Sequence, residues 1–155
     1  MTYHQEHIVP IVWGGPHAAG NTGTAVAGSY PAYINLVFPK DVEVGDKVHV
    51  YYSGYAIANG QTPGFNFAKM SLGYNTLTLT SSHDTAFDTA QTVDGDTDFN
   101  ANITSMVTGK ATLTLIQEVV DYIKTGKSIG VTHYNTSSSG WIYCYGMTVV
   151  LERTQ

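Results

Sequence analysis

The segment VGDKVHVYYSGY, residues 44–55, decides the fold of this 155-residue chain. Gly45 and Asp46 are typical of a turn, because Gly tolerates positive φ and Asp hydrogen-bonds to its own local backbone. The residues that follow alternate with the two-residue period of a long β-strand. One face is apolar and suited to a core, and the other is polar and aromatic. The first face holds Val48, Val50 and Tyr52, and the second holds Lys47, His49, Tyr51 and Ser53.

Similar short segments, separated by Gly, Pro and Ser turns, recur along the rest of the chain. The pattern predicts strands at residues 8–13, 33–38, 47–57, 74–80, 111–116, 128–134 and 141–152. Residues 65–72 fit either a short strand or a helical turn. Many strands and little helix predict an all-β protein, an antiparallel β-sandwich that is immunoglobulin-like or a jelly roll. The length fits a single domain over residues 1–155.

One short helical segment is expected near residues 116–125. Ile116, Val119, Val120 and Ile123 follow the i, i+3, i+4, i+7 spacing of one helix face. Gly126 is suited to the position just after the helix, where a left-handed conformation is common. We expect Val119 and Ile123 to pack down onto the edge of the sandwich.

The composition excludes several classes of protein. Charged residues make up 12% of the chain, about half of the usual share, and the formal net charge is -5. The few basic residues are scattered, which argues against nucleic-acid binding. The single cysteine, Cys144, cannot form an intramolecular disulfide, and its apolar neighbours predict that it is buried.

The chain carries no recognisable targeting segment or membrane span. Its first residues have no positive region followed by an apolar stretch, and no apolar run approaches the length of a span. We therefore expect a soluble protein that is made in the cytoplasm, is released without a classical signal, or has lost a signal. A surface-associated or virion location fits the same features.

An acidic loop is the strongest candidate for a metal site. Asp94, Asp96 and Asp98 alternate along it, and such carboxylates can converge on Ca²⁺, which takes six to eight oxygen ligands. The loop is not an EF-hand, because Phe99 and Ser105 replace the required Gly and Glu. We therefore predict either a looser Ca²⁺ site or a solvated loop whose Asp side chains cap turns.

Aromatic residues carry the other functional signal. The chain has 11 Tyr and 2 Trp, and an aromatic face can stack on a sugar ring while its polar tip binds water or hydroxyls. We expect the ligand to bind in loops at one end of the sandwich, and His49, Tyr51 and Tyr55 to lie at a subunit interface. The candidate ligand-binding residues are Tyr134, Asn135, Trp141, Tyr143 and Asn100.

Signatures of catalysis are missing from the sequence. There is no Gly-x-Ser-x-Gly elbow, and the six histidines have no spacing typical of zinc ligands. The four glutamates are scattered, whereas glycoside hydrolysis needs two carboxylates at a defined separation. The sequence therefore predicts a protein that is not an enzyme.

Three segments carry a family resemblance. They are VGDKVHV at residues 44–50 with Gly54 closing the strand, the segment at residues 119–123, and GKSIGV at residues 126–131 followed by a hairpin. Together they resemble a bacterial immunoglobulin-like β-sandwich module of surface and adhesin-type proteins. The resemblance covers residues 38–151 and departs in the polar segment at residues 81–100. It implies adhesion or display and carries no catalytic residues.

Two functions remain open from the sequence. The first is a non-catalytic binding or adhesion module of lectin type, whose partner is a glycan or a cell or virion surface. The second is a phage virion structural protein, a head-decoration or fibre component that forms a homo-oligomer or binds a capsid lattice. Low charge and many Tyr, Thr and Gly residues fit both.

Overall fold

A computed structural model describes residues 4–10, 24–26, 32–70, 84–87, 92–101, 106–127, 129–137 and 141–154. Within these ranges the chain forms ten β-strands and one α-helix. In chain order they are β1 His4–Pro10, β2 Thr24–Val26, β3 Ala32–Leu36, β4 Lys47–Ala56, β5 Pro63–Met70, β6 Asp84–Ala86, β7 Val93–Asp94, β8 Val107–Thr114, α1 Gln117–Lys124, β9 Ile129–Asn135 and β10 Ile142–Thr154.

Two antiparallel sheets build a β-sandwich, as the sequence predicts. The first sheet has the order β1-β10-β4-β8, with β2 also paired to β10, and the second has the order β3-β9-β5-β6, with β7 also paired to β5. Residues 65–72, whose sequence fits either a strand or a helical turn, belong mainly to β5. The polar segment at residues 81–100 contains two short strands, β6 and β7. The strand predicted at residues 74–80 lies outside the described residues.

The pairing of the strands is nested. Apart from the short strands β2 and β7, the early strands pair with the late ones in reverse order: β1 with β10, β3 with β9, β4 with β8, and β5 with β6. Successive pairs also alternate between the two sheets. In the described part of the chain these four pairs therefore lie one inside another along the sequence.

Strand β4, which contains most of the segment at residues 44–55, lies in the interior of the first sheet between β10 and β8. Val48, Val50 and Tyr52 are buried on its core face. They face an inner layer of the second sheet to which Phe65 and Val131 contribute. The alternation predicted for this strand is therefore confirmed, apart from His49, which is buried on the opposite face.

The helix α1 covers Gln117–Lys124, as predicted. Val119, Val120 and Ile123 are buried and belong to the hydrophobic core. Gly126 follows with a φ of +82°, a left-handed conformation that glycine adopts without steric cost. The helix, on the connection from β8 to β9, thus contributes its apolar face to the core. The described residues contain no helix with the length and hydrophobicity of a membrane span.

The C-terminal strand β10 is central in its sheet, as its apolar sequence predicts. It pairs with β4 on one side and with β1 and β2 on the other. The register to β4 shifts between Cys144 and Gly146, which marks a β-bulge. Cys144 is buried, as expected, and burial raises the pKa of its thiol to about 12.

A buried arginine joins the end of β10 to the turn that precedes β4. Arg153 donates to the Asp41 carboxylate at 2.7 Å and to the Asp41 carbonyl, and its Nε lies 3.5 Å from the Asp46 carboxylate. Asp46 is 2% exposed and also accepts a hydrogen bond from the Glu43 amide at 2.9 Å. This cluster of Arg153, Asp41 and Asp46 fixes the two chain segments to each other.

Candidate ligand-binding slot on the first sheet

The outer face of the first sheet carries its side chains in rows that run across β10, β4 and β8. The strand register sets these rows. One row contains Thr148, Tyr51 and Lys110, and the next contains Gly146, Ser53 and Thr108. The first row carries the long side chains of Tyr51 and Lys110, whereas the second has only small side chains. A cross-strand depression, which we call the slot, therefore forms over the small row.

The slot has a volume of ≈450 Å³, which falls within the usual range of ligand pockets, about 300–1,000 Å³. Tyr51 stands at its wall and is 44% exposed. The rest of the lining joins small and polar residues to Tyr52 and Met147, so that aromatic surface and hydrogen-bonding groups occur together. The lining residues are Tyr51, Tyr52, Ser53, Asp96, Thr97, Thr108, Gly109, Lys110, Gly146, Met147 and Thr148.

A core tyrosine fixes one end of the slot. The Tyr52 hydroxyl donates to the Thr97 carbonyl at 2.9 Å and accepts from the Thr97 amide at 3.1 Å. A Cβ on Gly95 or Gly109 would overlap the Tyr52 hydroxyl, so both positions need glycine. Burial raises the pKa of Tyr52 to about 12, which keeps the hydroxyl protonated and able to donate.

Two charged residues stand at the same end. The Asp96 carboxylate accepts from the Lys110 amide at 2.7 Å and from the Thr97 hydroxyl at 3.0 Å. The bond from the Lys110 amide is the main cause of the lowered pKa of Asp96. The Lys110 ammonium lies 5.3 Å from the centre of the Tyr51 ring, a cation–π geometry. The slot therefore ends in one anion and one cation.

The next row along the strands is aromatic. Tyr55 and Tyr143 are directly opposite in the register, and their rings stack at 4.9 Å with an interplanar angle of 12°. Beyond them, the Ile57 amide donates to the Trp141 carbonyl at 3.1 Å. Ile57 and Trp141 are both exposed, as is Met106 just before β8. This end of the outer face is therefore more apolar than the slot.

The structure brings only part of the predicted ligand-binding set together. Asn100 and Trp141 flank the end of β4, where their carbonyls accept from the amides of Ala56 and Ile57 at 3.0 and 3.1 Å. Tyr143 lies on the outer face of the first sheet, as described above. Tyr134 lies in the second sheet, where its backbone is opposite Gly64. Loop binding by these residues remains a prediction.

The Asn135 side chain is buried and hydrogen-bonded to other residues of the protein. It is 2% exposed, donates to the Gln61 side chain at 2.9 Å, and accepts from the Ser137 amide at 3.0 Å. Both ends of its amide are therefore used within the chain. The residue supports the end loops, where Gln61 also pairs with Phe99.

The three predicted metal ligands are held by different partners. Asp96 binds backbone and hydroxyl groups at the slot, whereas Asp98 accepts from the Thr62 hydroxyl at 2.8 Å. Asp94 is in β7, opposite Gly64. No group of three or more His, Cys, Asp or Glu that could hold a metal occurs in the described part of the chain. Asp96 and Asp98 thus each accept a hydrogen bond from a distant part of the chain, and Ca²⁺ binding stays a prediction.

His49 lies in the row on the other side of Tyr51. Its Nδ1 is 2.9 Å from the Thr112 hydroxyl and its Nε2 is 2.6 Å from the Glu152 carboxylate. A hydroxyl, an imidazole and a carboxylate in series can move protons. His49 is only 7% exposed, however, so little of its ring can meet a substrate. The His49 ring lies beside Tyr51, with ring centres 6.4 Å apart.

Sequence reasoning missed the slot because its floor has no distinctive residues. The alternation in β4 places Ser53 on the polar face. The sequence pattern predicts a strand that begins only at Ala111, however, so Thr108 falls outside it, whereas β8 in the structure begins at Val107. Gly146 reaches the floor only because of the bulge after Cys144. The alternation of Thr108, Lys110 and Thr112 is the one signal that could have found the slot.

Comparison with protein-family models and with curated proteins gave no match for this chain.

Proposed function

We propose that this protein is a non-catalytic carbohydrate-binding module of lectin type, and that its ligand lies in the slot. The observation that carries the proposal is a depression of ≈450 Å³ between the exposed Tyr51 ring and a floor of small polar residues. Sugars offer apolar ring faces and hydroxyl groups together. Tyr51 supplies the aromatic surface, and Ser53 and Thr108 supply hydroxyls that can donate and accept.

We also propose a jelly-roll topology for the sandwich. The nested pairing, with successive strand pairs alternating between sheets, is what a wrapped hairpin gives. Immunoglobulin-like sandwiches instead keep β-strands A, B, E and D in one sheet and C, F and G in the other. Jelly rolls occur among lectin and viral capsid domains, so the topology is compatible with either function expected from the sequence.

Tyr51→Ala is expected to remove binding to the glycans that the wild-type protein selects on a glycan array. Loss of the aromatic wall should weaken affinity at least tenfold, about 1.4 kcal/mol. Because Tyr51 is an exposed side chain, the free energy of unfolding should change by less than about 1 kcal/mol. Titration calorimetry and urea unfolding measure the two quantities.

Two controls make this test specific. Tyr51→Phe keeps the ring and should retain most of the affinity, and Val37→Ala changes an exposed apolar residue outside the slot lining. Repeating the array with a chelator separates any Ca²⁺ dependence. A wild-type protein that binds no glycan under either condition would count decisively against the proposal.

The second candidate is a virion structural protein, and the exposed apolar residues favour it. Ile57, Met106 and Trp141 are exposed near the stacked Tyr55–Tyr143 pair. Such patches often mark protein–protein interfaces. Under this second hypothesis, the patch of Ile57, Met106 and Trp141 packs against further copies of the chain in a head-decoration or fibre assembly.

Ile57→Ser is the corresponding test. If the patch forms a homo-oligomer, sedimentation should show a closed oligomer for the wild-type protein and dissociation for the variant. The exposed Val44→Ser serves as a control away from the patch. A wild-type monomer at the highest measurable concentration speaks against self-assembly through this patch.

A further inference from the structure

We infer that the slot binds an extended, unbranched and neutral oligosaccharide that lies across the strands. This inference rests on the glycan-binding function proposed above and names the ligand class for the same site. Three properties of the slot carry it: its length, its width and its charge.

The length of the slot exceeds a single sugar ring. Its floor crosses β10 at Gly146, β4 at Ser53 and β8 at Thr108. Neighbouring strands are about 4.8 Å apart, so the floor spans about 10 Å between the outer two strands. Asp96 and Thr97 extend the lining past β8, which is the edge strand of the described sheet. Several linked sugar units are needed to fill this distance.

The width suits one unbranched chain. Side chains on one face of a strand are two residues apart, about 6.6 Å, so the rows of Tyr51 and Tyr55 are about 13 Å apart with the small row between them. Gly146 has no side chain, and a Cβ there would lie 2.9 Å from the Ser53 hydroxyl. The low floor therefore accepts one chain beside the Tyr51 row, and the stacked Tyr55 and Tyr143 rings stand in the next row beyond it. A straight slot fits an extended polymer better than a helical one.

The charge of the lining favours a neutral ligand. Asp96 and Lys110 are the charged residues of the lining, and they stand at the same end. An acidic polymer would be attracted to Lys110 but repelled by Asp96. A basic polymer would be attracted to Asp96 but repelled by Lys110. A neutral chain can accept a hydrogen bond from the ammonium and donate one to the carboxylate without either penalty.

The experiment is a length series measured by titration calorimetry. The probes are β-1,4-linked oligomers of glucose and of N-acetylglucosamine with one to six units. Malto-oligosaccharides serve as helical comparators and β-1,4-linked mannuronate oligomers as acidic ones. We expect affinity for at least one neutral extended series to rise tenfold or more between one and four units and then level off.

A pair of matched variants locates the binding. Thr108 and Thr114 are both exposed on the outer face of β8, but only Thr108 lines the slot. Thr108→Trp should fill the slot and lower affinity for the tetramer at least tenfold, whereas Thr114→Trp should leave it unchanged. Thermal unfolding of both variants confirms that they are folded.

Several results would overturn the inference. Equal affinity for the monomer and the tetramer, stronger binding of the helical or acidic series, or unchanged binding by Thr108→Trp would each do so. If none of the probes binds but the array selects another glycan, this inference fails while the proposed function stands. If no glycan on the array binds, both this inference and the proposed function fail.

Discussion

Replacing Arg153 with Met will lower the free energy of unfolding by about 3 kcal/mol, because it leaves a buried carboxylate without its cation. Asp46 is 2% exposed and lies 3.5 Å from the Arg153 Nε. The variant also loses the 2.7 Å bond to Asp41. That part contributes less, since the Asp41 side chain is 72% exposed and well hydrated. Urea unfolding at neutral pH measures the loss.

Two further variants separate this effect from the loss of any basic side chain. Lys124→Met removes an exposed cation from the last turn of α1 and should change stability by less than about 0.5 kcal/mol. Adding Asp46→Asn to Arg153→Met should restore part of the stability, because the buried charge is then gone. A loss below about 1 kcal/mol in Arg153→Met would contradict the assigned role of the cluster.

The second large effect concerns a buried histidine in the core. His133 is fully buried and stacks on Phe65 with ring centres 4.9 Å apart. Neither ring nitrogen makes a well-formed hydrogen bond within the described part of the chain. Burial lowers the pKa of His133 from 6.5 to about 4, and a backbone contact with Gly64 offsets only a part of this.

This pKa shift determines how stability depends on pH. The folded state favours the neutral ring, so the full stability is present above pH 6.5, the ordinary pKa of histidine, and falls as the pH drops toward the folded pKa of about 4. A shift of this size corresponds to about 3 kcal/mol. Between pH 7 and pH 4, the His133→Leu variant should therefore gain about 3 kcal/mol of stability relative to the wild-type protein.

Urea unfolding of both proteins across this pH range tests the prediction. Carboxylates titrate in both proteins, so their contribution cancels in the difference. The absolute stability of His133→Leu at pH 7 matters less than the slope of that difference. A difference that stays constant from pH 7 to pH 4 would show that His133 is protonated as easily in the fold as in the unfolded chain.

Local periodicity was enough to predict much of the fold. The alternation in β4 identifies its core face, and the spacing from Ile116 to Ile123 identifies α1. Both patterns depend only on neighbours in sequence. The apolar sequence of β10 also predicts its position between other strands of the first sheet.

The slot could not be predicted in the same way, because it depends on the register of three strands. Gly146 lies opposite Ser53 only because of the bulge in β10, and the start of β8 at Val107 decides that Thr108 lies beside them. Asn135 shows that the partners of a side chain also cannot be predicted from the local sequence. Its position at the end of a strand suggests an amide that is accessible to a ligand, whereas in the structure this amide is hydrogen-bonded to Gln61 and Ser137. A partner such as Gln61 comes from a distant part of the chain.

The central claim is that the glycan lies in the slot and not in the end loops. Amide chemical-shift mapping with the glycan that binds most tightly on the array tests it most directly. We predict that the largest shifts occur at Ser53, Thr108, Lys110 and Gly146, the residues around the slot floor. Shifts centred instead on the loops at residues 59–62 and 98–101 would contradict the account and return the binding site to the end of the sandwich.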